Sequence, residues 1–145
     1  MDKIKFSIII PAYAEEENIP ELLNNIDDVF IDNKNIEVVL IDDGSPVSLD
    51  GIIEYEKYRF DIKLISNKYN LGQSKSIEVG LINSTGDIIG LIDADSQNPP
   101  SELKRLYDFY ISNNFDAVVS YRKNRKDESL RKIISKLANV ILKMF

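Results

Sequence analysis

Neither cysteine nor histidine occurs anywhere in the 145 residues. The missing cysteines exclude a disulfide framework and a thiolate zinc site. The missing histidines exclude a Ser-His-Asp triad, an imidazole general base and an imidazole metal ligand. Any chemistry has to rest on carboxylates, hydroxyls, amides and basic groups. Long apolar runs are also absent: none approaches the roughly 20 residues that span a bilayer. The amino terminus, Met1-Asp2-Lys3-Ile4-Lys5, leads directly into a strand pattern and lacks signal-peptide architecture. A cytoplasmic chain, or one at the cytoplasmic face of a membrane, is expected. With 43% hydrophobic and 29% charged residues, the composition is that of a folded globular chain, and the length suits one domain with a real core.

Charge is present but unevenly placed. Residues 1–120 hold ten Lys and Arg against 22 Asp and Glu, while residues 121–145 hold eight against two. The net values, −12 and +6, point to an anionic partner for the carboxyl-terminal segment. The chain therefore divides into a core, 1–122, and a basic loop with an amphipathic helix, 123–145. In that helix Leu130, Ile133, Ile134, Leu137, Ile141 and Leu142 share one face, flanked by Arg131, Lys132, Lys136 and Lys143. Such a helix either packs on the sheet or lies at an anionic membrane surface.

Strand and helix patterns alternate. Apolar, β-branched runs at Phe6 to Ile10, Ile36 to Ile41, Ile62 to Ser66, Ile88 to Ile92 and Ala117 to Ser120 read as five strands. Pro11 stops the first. Between them lie helix patterns. The first starts at an Asn18 cap and carries Ile19, Leu22, Leu23, Ile26, Val29 and Phe30. A weaker one spans Leu49 to Tyr58. A third runs from Ser74 to Asn83 with Ile77, Leu81 and Ile82 inward, and a fourth from Pro99 to about Asn113 with Leu103, Leu106, Tyr107 and Tyr110. The last is the amphipathic segment from Ser129. Repeated βαβ units predict an α/β fold: a single Rossmann-like nucleotide-binding domain, its sheet mostly parallel, with helices on both faces. Ligands of such sheets sit beyond the carboxyl ends of the strands.

The polar clusters fall at those ends. Asp93 and Asp95 close the fourth strand, and the two-residue period of an extended chain points both to one side. Two adjacent carboxylates repel one another, and a divalent cation removes that penalty. Mg²⁺ takes one or two carboxylates and completes its shell with water and substrate phosphate. Asp is also common in turns and helix caps, so the pair does not stand as evidence by itself. Asp42 and Asp43 follow the second strand, where a carboxylate accepts hydrogen bonds from a base or ribose, or else stabilises the Gly44-Ser45 turn. Glu15, Glu16 and Glu17 precede a helix, whose dipole favours them structurally. Asn70-Leu71-Gly72-Gln73-Ser74 opens a helix whose backbone N–H groups suit a phosphate, on the weak evidence of one glycine.

Taken together, Ile8-Ile9-Ile10-Pro11-Ala12-Tyr13-Ala14-Glu15-Glu16-Glu17-Asn18-Ile19, Leu40-Ile41-Asp42-Asp43-Gly44-Ser45, Asn70-Leu71-Gly72 and Asp93-Ala94-Asp95 resemble the family 2 glycosyltransferases of GT-A fold. The order and spacing match over residues 5–100. The continuation Asp95-Ser96-Gln97-Asn98-Pro99-Pro100, and Val118-Val119-Ser120-Tyr121-Arg122 beyond it, are similar to the polyprenyl-phosphate sugar transferases of the dolichol-phosphate mannosyltransferase type. The resemblance implies transfer of a sugar from a UDP- or GDP-linked donor to a polyprenyl phosphate, with Mg²⁺ or Mn²⁺ as cofactor. By position, Pro11, Tyr13, Glu15, Asp42, Asp43 and Asp93 are implied for the nucleotide, and Asp93, Asp95 and Gln97 for the metal. Asp95, Arg122 and Arg131 are implied for catalysis, and Arg131 and Ser135 for the acceptor phosphate. A membrane surface is an implied partner, a homo-oligomer is left open, and no nucleic acid is expected. The chain departs from the family at Ala14, where Asn is usual, at Pro46-Val47, at Gln73-Ser74 and at Ser96. Such proteins continue past the last helix, so a longer protein is expected.

The chemistry agrees with that acceptor. A sugar hydroxyl needs a general base; there is no histidine, and after residue 95 no carboxylate stands out as one, Asp116, Asp127 and Glu128 being poorly positioned. A phosphate monoester, with a second pKa of about 6, is already a nucleophile at neutral pH. The alternatives are a saccharide acceptor, or a nucleotide-binding module without catalysis. A response-regulator receiver is disfavoured, because its acidic pair follows the first strand, where this chain has Pro11.

Overall fold

The computed structural model describes residues 5–33, 35–113 and 115–120. Its elements are β1 (Phe6–Ala12), α1 (Ile19–Val29), β2 (Ile36–Asp42), β3 (Asp61–Ser66), α2 (Gln73–Asn83), β4 (Ile88–Leu91) and α3 (Pro100–Ser112). The four strands form one parallel sheet in the order β3-β2-β1-β4. The predicted α/β architecture is present, with helices on both faces. Phe6, Ile8 and Ile10 of β1 and Val38 and Leu40 of β2 meet Ile19, Leu22, Leu23 and Ile26 of α1 and Leu103 of α3 on one face. Ile9, Val39 and Ile41 meet Val79 of α2 on the other. Each buried aliphatic side chain contributes about 2 kcal/mol relative to exposure.

Pro11 does not stop β1. The Ala12 carbonyl accepts from the Asp43 N–H (2.8 Å), and the Ile9 carbonyl accepts from the Ile92 N–H (3.2 Å). Even residues of β1 therefore address β2 and odd residues address β4. The N–H that Pro11 lacks belongs on the β4 side, so pairing with β2 continues to Ala12↔Asp42. The β4 ladder instead ends at Ile9↔Leu91. One proline thus spares one pairing and terminates the other.

Three predicted features are corrected. Leu49 to Tyr58 forms turns and a short 3₁₀ turn at Tyr55–Lys57 rather than an α-helix. Gly51 weakens a helix there, and the Tyr55 hydroxyl donates to Asp50 (3.0 Å) instead. Arg59 clasps Asp27 of α1 with its backbone N–H, Nε and a terminal nitrogen, which moors the segment while Leu49 and Ile53 bury. Residues 117–120 form no strand. They face β4 across a groove of about 560 Å³, and Val119 is 86% exposed, so the burial that favours a strand is missing. On α2, Leu81 and Ile82 point outward, and the inward face is Ser76, Val79 and Gly80. Gly80 lies so close over Ile9 that a Cβ there would collide with it. The amphipathic segment from Ser129 lies outside the described residues.

At the amino end of the sheet a buried carboxylate ties three elements together. Glu37 of β2 accepts from the Ser7 hydroxyl (2.5 Å), the Thr85 N–H (2.5 Å) and the Thr85 hydroxyl (2.8 Å), and pairs with Lys5 at 2.9 Å. Burial alone pushes this carboxyl up; the bonds from Ser7, Lys5 and Thr85 outweigh it and hold it at about 2.

Candidate functional site

The opposite, carboxyl end of the sheet carries the candidate site. The chain leaving β1 turns at Ala14, whose φ is +54° and whose N–H donates to the Ser45 hydroxyl (3.0 Å). It enters α1 over Glu15, whose carbonyl accepts from Asn18 and Ile19 and whose carboxylate accepts from the Asn18 amide (2.5 Å). Asn18 makes no side-chain bond to the helix it precedes; its side chain fixes Glu15 instead.

After β2 the paired aspartates separate in role. Asp42 accepts from the Ser45 N–H (2.9 Å) and holds the turn. Asp43 looks across the sheet end. Its Oδ1 accepts from the Asn67 amide (2.7 Å) and the Leu71 N–H (3.0 Å), and its Oδ2 from the Gly72 N–H (2.8 Å). Burial is the largest single influence on this carboxyl and raises it; the donors from Leu71, Asn67 and Gly72 together prevail and hold it below the usual range. The buried Ser76 hydroxyl adds a weaker pull without completing a hydrogen bond. Gly44 makes this geometry possible. Its φ is +74°, and a Cβ there would stand 2.6 Å from the Tyr69 carbonyl carbon. The 67–72 loop therefore packs directly on the β2 turn, and α2 starts at the cavity edge.

After β4 the chain does not stay extended. The next β1 donor on that side would be Pro11, which has none, and the chain bends after Ile92. Asp93 and Asp95 share the site because a turn brings them there, with Ser96 at φ +58°, and not through strand alternation. The Asp93 Oδ1 accepts from the Gln73 amide (2.8 Å), and the Asp95 Oδ1 from the Gln97 N–H (3.0 Å).

These pieces surround a cavity of about 360 Å³ lined by Pro11, Tyr13, Glu15, Asp43, Asp93 and Asp95, together with Asn70, Gly72, Gln73 and Ser76. Six of the residues singled out in the sequence thus converge. Two do not line it: Asp42 faces its turn, and Gln97 contributes a backbone bond to Asp95. Arg122, Arg131 and Ser135 lie outside the described residues. Sequence reasoning missed Ser76 and the Gln73–Asp93 bond. Ser76 stands four residues before Gly80, which signals a close-packed inward helix face.

The electrostatics of the lining are one-sided. Among the described residues it holds four carboxylates and no lysine or arginine. Among the described residues no group of three or more acidic side chains converges tightly enough to form a protein-only metal cage. Two carboxylates without a third suit a hard divalent cation that shares its shell with water and phosphate. Among the described residues no helix is long and apolar enough to cross a membrane.

The comparisons with known proteins bear on the fold and the family. The family model described as Glycosyl transferase family 2 matches residues 7–143. The undecaprenyl-phosphate 4-deoxy-4-formamido-L-arabinose transferases of Salmonella choleraesuis and Salmonella typhimurium are each 37% identical over 142 residues, 95% of this chain and 43% of theirs. The chain therefore spans less than half the length of these relatives. Staphylococcus aureus TarS, solved with UDP-GlcNAc, superposes with a TM-score of 0.64 at 26% identity, over 81% of this chain and 37% of that one. The mannosyltransferase PcManGT of Pyrobaculum calidifontis, solved with GDP-Man and Mn²⁺, superposes with a TM-score of 0.65 at 23% identity, over 74% and 32%. The fold, the matched family and the relatives coincide, and the chain belongs to glycosyl transferase family 2.

Proposed function

We propose that this chain forms the donor-binding part of a glycosyltransferase that moves a sugar from a nucleoside diphosphate to a polyprenyl phosphate. The observation that carries the reading is the cavity whose lining, among the described residues, holds four carboxylates and no basic group. Such a lining repels a diphosphate, and a cation that accompanies it offsets the repulsion. Asp93 and Asp95 would hold Mg²⁺ or Mn²⁺, which supplies neutralisation of the charge that grows on the departing diphosphate. Asp43 takes the nucleoside side: its Oδ2, engaged by one N–H, has room to accept another from base or ribose. The half-exposed Tyr13 ring offers that nucleoside an apolar face. The Gln97 N–H fixes Asp95 from behind.

A phosphate monoester acceptor attacks without a general base, so the reading asks none of the carboxylates at this site to serve as one. The two Salmonella relatives are named for an undecaprenyl-phosphate acceptor, which supports the same choice. Arg122, Arg131 and Ser135 are assigned to phosphate contacts from the resemblance to the polyprenyl-phosphate sugar transferases, and the basic segment 123–145 to the cytoplasmic face of a membrane from its charge pattern. Calorimetric titration of UDP and GDP, with and without Mn²⁺, tests the reading. Binding of one of the two should require Mn²⁺, and Asp95→Asn should abolish the metal-dependent part without lowering the melting temperature. Equal affinity with and without Mn²⁺ refutes it.

A further inference from the structure

We propose that Gln73 is a positioning residue for Asp93, orienting that carboxylate to receive a divalent cation; the inference rests on Asp93 and Asp95 being the metal ligands. Asp93 follows β4, whose ladder ends at Leu91 because Pro11 offers no further donor. The last backbone bond to β1 is from the Ile92 N–H to the Ile9 carbonyl, and Asp93 lies just beyond it. Among the described residues its carboxylate makes one hydrogen bond, from the Gln73 amide to Oδ1 at 2.8 Å.

Gln73 is itself firmly placed. It is the first residue of α2, and the Gly72 before it is fixed by its N–H bond to Asp43. A chain of contacts thus runs from the β2 turn through Asp43 and the α2 start to Asp93. The chemistry of an amide suits the task. A lysine here would neutralise Asp93 and compete with the cation. A neutral N–H occupies one lone pair, leaves the negative charge intact and keeps Oδ2 free. Gln73 and Asp93 also line a second cavity, of about 420 Å³, together with Ile77, Leu91, Asn98 and Arg105. The bond forms part of the partition between the two spaces, and it gives a carboxylate that borders both a single orientation.

The test uses the full chain with Gln73→Met, which keeps the length of the side chain and removes the donor. Mn²⁺ affinity in the presence of UDP or GDP is read by calorimetry, beside melting temperature. Mn²⁺ affinity should fall by about 10–100-fold, the usual effect of losing a partner of a ligating group, with the melting temperature unchanged. Wild-type Mn²⁺ affinity in Gln73→Met overturns the proposal while leaving the metal site standing. A parallel fall in melting temperature overturns it in favour of a structural role. If the wild-type chain itself takes up no Mn²⁺, the metal reading fails and this inference with it.

Discussion

Replacing Glu37 by glutamine should flatten the acid side of the stability profile. The carboxylate is 7% exposed and receives bonds from Ser7, Thr85 and Lys5. It sits at about 2 in the folded chain against an ordinary 4.5. At roughly 1.4 kcal/mol per tenfold change in proton affinity, the gap corresponds to about 3 kcal/mol. The sign follows from the direction. A depressed folded value makes the unfolded chain bind the proton more tightly, so the contribution is complete above 4.5 and is lost as pH falls toward 2. Other carboxylates, Asp27 and Asp43 among them, are also held low and contribute to the acid slope of both proteins. The difference between wild type and Glu37→Gln isolates this one. Urea denaturation followed by circular dichroism at intervals from pH 7 to 2.5 measures it. Wild type should be the more stable by about 2–3 kcal/mol at pH 7, a range set by the same linkage, and should lose most of that advantage by pH 2.5. A gap that stays constant over the whole interval refutes the reasoning.

Two more changes test the loops that build the site. Gly44→Ala introduces a Cβ against the Tyr69 backbone at a positive φ. It should cost about 2 kcal/mol or more and speed amide exchange at Leu71 and Gly72, the donors to Asp43; unchanged exchange there would contradict the packing. Ala14→Asn places a residue that tolerates the left-handed region at φ +54°, with its side chain exposed. It should raise unfolding free energy by about 0.5–1 kcal/mol, and a loss on urea denaturation would show that the turn is not strained.

The two central strands, β1 and β2, were legible because both of their faces are buried. Ile8 to Ile10 and Val38 to Ile41 are continuous apolar runs, and such runs of β-branched residues have few other uses. The position of the site followed, since the polar clusters end those runs. What could not be read was pairing between distant loops. Nothing near Asp43 announces that its partners are Asn67, Leu71 and Gly72, some 25 residues away. The face of α2 was misread for a related reason. Hydrophobic spacing marks Leu81 and Ile82, but a helix that rests directly on Ile9 needs small residues at the contact, and Ser76 and Gly80 supply them.

Pro11 shows how local chemistry reaches the site by an indirect route. Its missing N–H is a one-residue fact, readable as a strand terminator. Its consequence depends on which neighbour that N–H would have faced. Facing β2, it would have shortened the pairing that delivers Asp43. Facing β4, it spares that pairing and releases the chain after Ile92 into a turn. The turn then brings Asp93 and Asp95 to the cavity, where a longer strand would have pointed them by alternation alone. Both routes end with two carboxylates at the sheet end, so the strand pattern and the structure bring the same two residues together through different geometry. The difference matters for the chemistry. Carboxylates on a turn lack ladder support, and their orientation depends on side-chain and loop partners such as Gln73 and the Gln97 N–H.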